Sequence, residues 1–215
     1  MATLKQIRER VSRKLQDPDN TSRSASIVDE EINRAVRFYK KYQFWFNDTQ
    51  VTISLVASQK EIPNIPTDLV SEVQVNGLVL IDAQVKINLI KLHPDNFDDR
   101  DQDQTGRPYY YTYRNNKYFL LPEPQIAYDL RFRYLKTPDT LVDDSDTNIF
   151  TDNAEDLIML HTLKNMYAED KQDMELSSFY SNLEDIELKA IMDRSDDRNG
   201  SGYLGSNTIL ETYYI

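Results

Sequence analysis

A chain of 215 residues with 40% hydrophobic side chains holds enough apolar material for one substantial domain or two small ones, which excludes a disordered protein. It has no cysteine, so disulfides, thiolate zinc sites, iron–sulfur clusters and cysteine nucleophiles are excluded as well. The formal net charge of -11 argues against tight binding of nucleic acid through phosphate neutralisation, which needs a concentrated Lys/Arg surface.

In chain order, Thr3-Leu-Lys-Gln6 has the capping-box pattern. Behind it Leu4, Ile7, Val11 and Leu15 recur at three- and four-residue spacing, which predicts an amphipathic helix over 3–16, stopped by Asp17-Pro18-Asp19-Asn20. A second helix is expected from near Ser26 to about Tyr42, with Ile27, Ile32, Ala35, Val36 and Tyr39 as its stripe. The aromatic cluster Phe38 to Phe46 closes it. In an acidic chain without a ribonucleoprotein-type motif, those rings read as packing and not as a base-stacking platform.

From residue 49 the period becomes two. Val51, Ile53 and Leu55 alternate with Thr52 and Ser54, and Asn76-Gly77 between Val73–Val75 and Leu78–Ile81 predicts a hairpin. Residues 108–113 and 118–121 around Arg114-Asn-Asn-Lys117 predict another. The clearest strand runs through Ile126, Tyr128, Leu130, Phe132 and Tyr134, giving a mostly antiparallel sheet with one wet side. Helical periodicity returns after Thr151 or Asp152, where Leu157, Leu160, Met166 and Tyr167 share a face. A fourth helix is expected with the stripe Leu176, Phe179, Leu183, Ile186 and Ala190.

The last sixteen residues hold three of the five glycines and end in Ile209, Leu210, Tyr213, Tyr214 and Ile215, a flexible arm with an apolar, partner-binding tip. The expected fold is therefore α+β: a four-helix bundle (1–48 and 150–194) with an antiparallel β insertion between helices 2 and 3 (49–149) and an extended C-terminal arm (195–215).

Charge is uneven along the chain. Residues 1–41 set ten Lys and Arg against six acids, a balance of +4, and residues 143–197 set four against sixteen, a balance of -12. Such polarity can steer one end against the other, within the fold or between copies, or can simply reflect solvated helix faces. No apolar run approaches the roughly 18 to 20 residues that span a bilayer, and residues 1–8 lack the apolar stretch of a secretory signal. The expectation is a soluble protein made in a cytoplasm, with no membrane association.

The search for catalytic chemistry selects nothing. The two histidines, His93 and His161, have no partner signature, and no Gly-x-Ser-x-Gly elbow, phosphate-binding glycine loop or His-Glu-x-x-His pair is present. Asp99, Asp101 and Asp103 match the opening of a calcium loop, but Gln104 stands where the turn glycine belongs and Tyr110 where the closing glutamate belongs. No metal or cofactor is expected. A micromolar calcium site at 100 times its Kd would stabilise the fold by about 2.7 kcal/mol. Thermal melts with and without millimolar calcium are instead expected to coincide, and a shift of several degrees would restore the site.

Ile65-Pro66-Thr67-Asp68-Leu69, Val75-Asn76-Gly77, Gly106-Arg107-Pro108-Tyr109-Tyr110, Leu121-Pro122-Glu123-Pro124 and Tyr134-Leu135-Lys136-Thr137-Pro138, set between the opening and closing helices, resemble head-to-tail connector adaptors of short-tailed bacteriophages. The resemblance spans nearly the whole chain. It implies a non-enzymatic virion protein at the head–tail interface, present in the host cytoplasm during assembly. It also implies a homo-oligomeric ring, usually of twelve copies, between the portal protein and the tail nozzle protein. DNA would pass through without specific binding, and the arm would reach the portal. Two alternatives stay open: another phage or bacterial structural or interaction module, and an enzyme such as a cell-wall hydrolase.

Overall fold

The orphan N–H groups of the first helix find partners in its own cap. The Thr3 amide donates to Gln6 Oε1 at 3.0 Å and the Gln6 amide to Thr3 Oγ1 at 3.3 Å, so α1 runs over Leu4–Lys14. At its other end Tyr167 Oη donates to the Lys14 carbonyl at 2.8 Å and Lys171 Nζ to the Leu15 carbonyl at 3.1 Å. α2 follows over Ala25–Tyr39, with Val28, Ile32, Ala35, Val36 and Tyr39 turned inward. The structure, a computed structural model, describes residues 1–19, 24–73, 75–83, 85–100 and 104–198. The chain divides into two compact units, Asp48–Thr137 and the remainder on either side of it.

The Asp48–Thr137 unit holds β1 (Asp48–Leu55), β2 (Leu69–Glu72), β3 (Leu78–Asp82), β4 (Val85–Asn88), β5 (Ile90–Lys91) and the short α3 (Pro94–Arg100). After them come β6 (Thr105–Gly106), β7 (Tyr110–Arg114), β8 (Lys117–Leu121), β9 (Glu123–Pro124) and β10 (Tyr128–Lys136). β10 is the centre of this unit because its period-two pattern buries Tyr128, Leu130, Phe132 and Tyr134 on one face. β1 pairs along its whole length, from Asp48 opposite Leu135 to Leu55 opposite Tyr128. β3 takes the other edge, with Leu78 opposite Phe132, and β4 closes the sheet beyond it.

The hairpin expected at Asn76-Gly77 does not form. β2 and β3 do not pair with each other; both pair with β10, β2 opposite residues 134–136 and β3 opposite residues 129–132. β10 has nine residues and β3 covers four of them, so an edge remains that β2 can satisfy. The connection between them is tight enough that a Cβ at Gly77 would lie 2.2 Å from the Val73 carbonyl oxygen. The second expected hairpin does form: β7 and β8 pair with Arg114 opposite Lys117, and Asn115 and Asn116 adopt φ of 51° and 60° in a two-residue loop.

The flanking unit adds α4 (Ile149–Asn153), α5 (Glu155–Glu169) and α6 (Met174–Arg198). Asn148 caps α4 by accepting from the Phe150 and Thr151 amides. α5 buries Leu157, Ile158, His161, Thr162, Leu163, Met166 and Tyr167, so nearly its whole circumference is covered, as expected of a central helix. Asn33 of α2 pins the incoming chain by exchanging hydrogen bonds with both the carbonyl and the amide of Leu141, at 2.8 and 3.0 Å. Ser195 to Arg198, placed with the arm from the sequence, close α6.

The expected four-helix bundle with a β insertion is corrected. Six helices occur among the described residues, and the strands form a five-stranded, a three-stranded and a two-stranded sheet in a unit with its own core, so the protein is mixed α+β. Two helices escaped the periodicity because they are short. α3 spans seven residues around a single buried side chain, Phe97, and α4 spans five. Nor do the long helices cover one another evenly, for α6 turns one of its apolar stripes outward.

Candidate interaction surfaces

The inner face of α6 repeats every seven residues through the buried Ser177, Glu184 and Ile191. This places a carboxylate in the middle of the helical core. Glu184 Oε1 accepts from Tyr39 Oη and lies 2.7 Å from His161 Nδ1, and its other oxygen lies 2.7 Å from Lys164 Nζ. Burial pushes the Glu184 carboxyl up, but the donors His161, Lys164 and Tyr39 outweigh it and hold the carboxyl at about 2. It is therefore ionised and can only accept, which puts a proton on His161 Nδ1. Burial, reinforced by Glu184, raises the Tyr39 phenol. Sequence reasoning gave His161 no role and missed Glu184; the seven-residue interval on α6 is the signal that could have found it.

Tyr39 Oη, His161 Nδ1 and Lys164 Nζ are all directed at the Glu184 carboxylate. Phe38 stacks on His161 with centroids 4.6 Å apart and Tyr39 meets the same ring at 5.3 Å, so the imidazole is packed between aromatic rings. The cluster thus orients α2, α5 and α6 and is read as structural. A comparable device sits in the β unit, where Glu72 accepts from Tyr118 Oη at 2.8 Å and pairs with Lys91. Burial opposes ionisation of Glu72, yet these partners keep its carboxyl below the ordinary range.

The tip residues Ile209, Leu210, Tyr213, Tyr214 and Ile215, together with Asp101 and Asp103, lie outside the described residues. Asp99 lies near the end of α3, and His93 is exposed beside Asp95. No group of three or more metal-ligating side chains occurs among the described residues, and no helix among them is long and apolar enough to cross a membrane.

What the helical unit does present is surface chemistry. On α6 the side chains of Leu176, Phe179 and Ile186 are 37%, 53% and 66% exposed, the reverse of the inward stripe expected from the sequence. Polar Ser177 and Glu184 take the inner positions instead because α5 and α2 supply their partners: Ser177 Oγ donates to the Lys164 carbonyl at 3.0 Å. On α2, Phe38 is 39% exposed, with Lys41 4.6 Å above its ring. Ion pairs fasten α1 to its neighbours, Arg8 to Asp29 at 2.6 Å and to Asp144 at 2.7 Å, and Arg10 to Glu155.

A chain with two cores, polar clusters turned inward and uncovered apolar residues on long helices belongs with proteins that work by presenting faces to other proteins. The chain belongs to the SU10 adaptor protein family, whose family model matches residues 2–206. It is thus a phage adaptor protein, as the resemblance implied. No curated protein matches it.

Proposed function

We propose that the protein forms a homo-oligomeric ring between the portal protein and the tail nozzle protein of a virion, acting structurally and without catalysis, and that DNA passes through the ring. The observation that carries this reading is the family match over residues 2–206, which takes in both units and not one detachable module. The net charge of -11 supports a channel lining that repels passing phosphates instead of gripping them. Native mass determination tests the ring: mixing with purified portal protein should yield a closed multimer of this chain on the portal, and a chain that stays monomeric beside the portal would overturn the reading.

The portal-facing element is Ile209, Leu210, Tyr213, Tyr214 and Ile215. Alternation of Ile209, Glu211, Tyr213 and Ile215 suits an extended strand added to a sheet edge or laid in a groove. Ending the chain after Arg198 leaves α6 whole, so circular dichroism should report unchanged helicity while portal attachment is lost. Attachment at undiminished affinity, or loss of helicity, would refute this role.

A further inference from the structure

α6 has two apolar faces and the helical unit uses one. Tyr180, Leu188, Ile191 and Met192 pack inward, with Tyr180 stacked on Tyr167 at 5.4 Å. The outer stripe, Leu176, Phe179, Leu183, Ile186 and Ala190, follows three- and four-residue steps over about 21 Å of helix, the length of a helix–helix seam. Leu183 is half-buried and the other four are exposed. The charges flanking this stripe are acidic by a small excess: Glu175, Glu187 and Asp193 against Lys189 and Arg194, with Arg194 paired to Glu187.

Charge favours one of three occupants. Pairing α6 with α6 of another copy would set these acids against each other. Residues 199–215 contain no Lys or Arg, so the following chain offers no cation either. The C-terminal end of α2 offers both things needed. Phe38 keeps 39% of its surface exposed, although it stacks on His161 and Lys41 lies over its ring, and Arg37, Lys40 and Lys41 adjoin it in sequence, none of them in an ion pair among the described residues. We infer that the outer stripe of α6 in one copy docks on the Phe38 patch of the next, an inference that rests on the ring reading above. Because the two patches differ, the contact is heterologous, the kind that closes into a ring when its rotation permits.

The absence of cysteine makes the seam testable by disulfide trapping in the full chain. Asn182→Cys places a thiol beside the α6 stripe and Arg37→Cys places one beside Phe38; both positions are exposed. Mild oxidation of the two variants mixed on the portal should give an Asn182→Cys to Arg37→Cys dimer in preference to either homodimer, and the double variant should give a ladder of multiples. Adding Phe179→Glu with Ile186→Glu, both at exposed sites and checked for unchanged helicity, should slow trapping by roughly tenfold or more. Molar salt should slow it without abolishing it, since apolar contact remains when charges are screened. A predominant Asn182→Cys homodimer would overturn the inference in favour of α6 pairing. An Asn182→Cys thiol that becomes reactive to maleimide only after truncation at Arg198 would overturn it in favour of the chain's own end. A ring that forms on the portal without the mixed disulfide sinks the seam and leaves the ring reading standing, whereas failure of any ring to form sinks both.

Discussion

Replacing Glu184 with Ala is expected to lower the stability of the helical unit by about 3–5 kcal/mol, because it strands buried partners instead of removing a whole interaction. Tyr39 Oη, His161 Nδ1 and Lys164 Nζ all converge on this carboxylate, and without it three polar groups are left in or at the edge of a core with no acceptor. Glu184→Gln keeps the shape and one acceptor oxygen, so it should cost less, on the order of 2 kcal/mol. Urea unfolding at neutral pH measures both. Acid supplies a second signature. The carboxyl falls from an ordinary 4.5 to about 2 on folding, so its contribution is complete above about pH 4.5 and is lost as the pH drops towards 2. That shift corresponds to roughly 3 kcal/mol, and the Glu184→Gln variant should lack this part of the acid sensitivity. An Ala variant within about 1 kcal/mol of the parent would mean that the cluster does not hold α6.

Phe132→Ala should have a comparable effect on the β unit, about 3–5 kcal/mol, the usual result of removing a fully buried aromatic side chain and leaving a cavity. Phe132 sits mid-way along β10, between Val51 of β1 and Leu78 of β3, with its ring edge-on to Tyr118 at 5.2 Å. It is fully buried among Leu130 and Tyr134, themselves buried, and a close-packed interior relaxes only partly around such a gap. Amide hydrogen exchange should show protection falling across β1, β3 and β10 together, since all three share this core. Phe119→Ala serves as the comparison: its ring is only half-buried and lies beside Arg114, so a loss of about 1 kcal/mol is expected. If the two variants unfold alike, the core is not organised around β10.

Short-range physics made much of this protein legible in its sequence. The Thr3/Gln6 capping box, the Asn115-Asn116 turn and the alternation of Tyr128, Leu130, Phe132 and Tyr134 are each specified by residues within one turn or one pleat of one another, and each forms as expected, although β10 begins at Tyr128 and leaves Ile126 exposed outside it. The order of elements carried the resemblance to phage adaptors, with which the family match over 2–206 agrees. Competition between distant partners was not legible. Asn76-Gly77 has the local chemistry of a hairpin, but β2 pairs with β10, some sixty residues away in sequence, because β3 leaves an edge of β10 unpaired there. α6 has two apolar stripes of similar quality, and hydrophobic periodicity alone favours the one containing Phe179 and Ile186. Only the tertiary structure turns the other inward, because Tyr39, His161 and Lys164 stand ready to receive Glu184, and an ionised carboxylate surrounded by donors is stable where an apolar side chain would leave those donors unpaired.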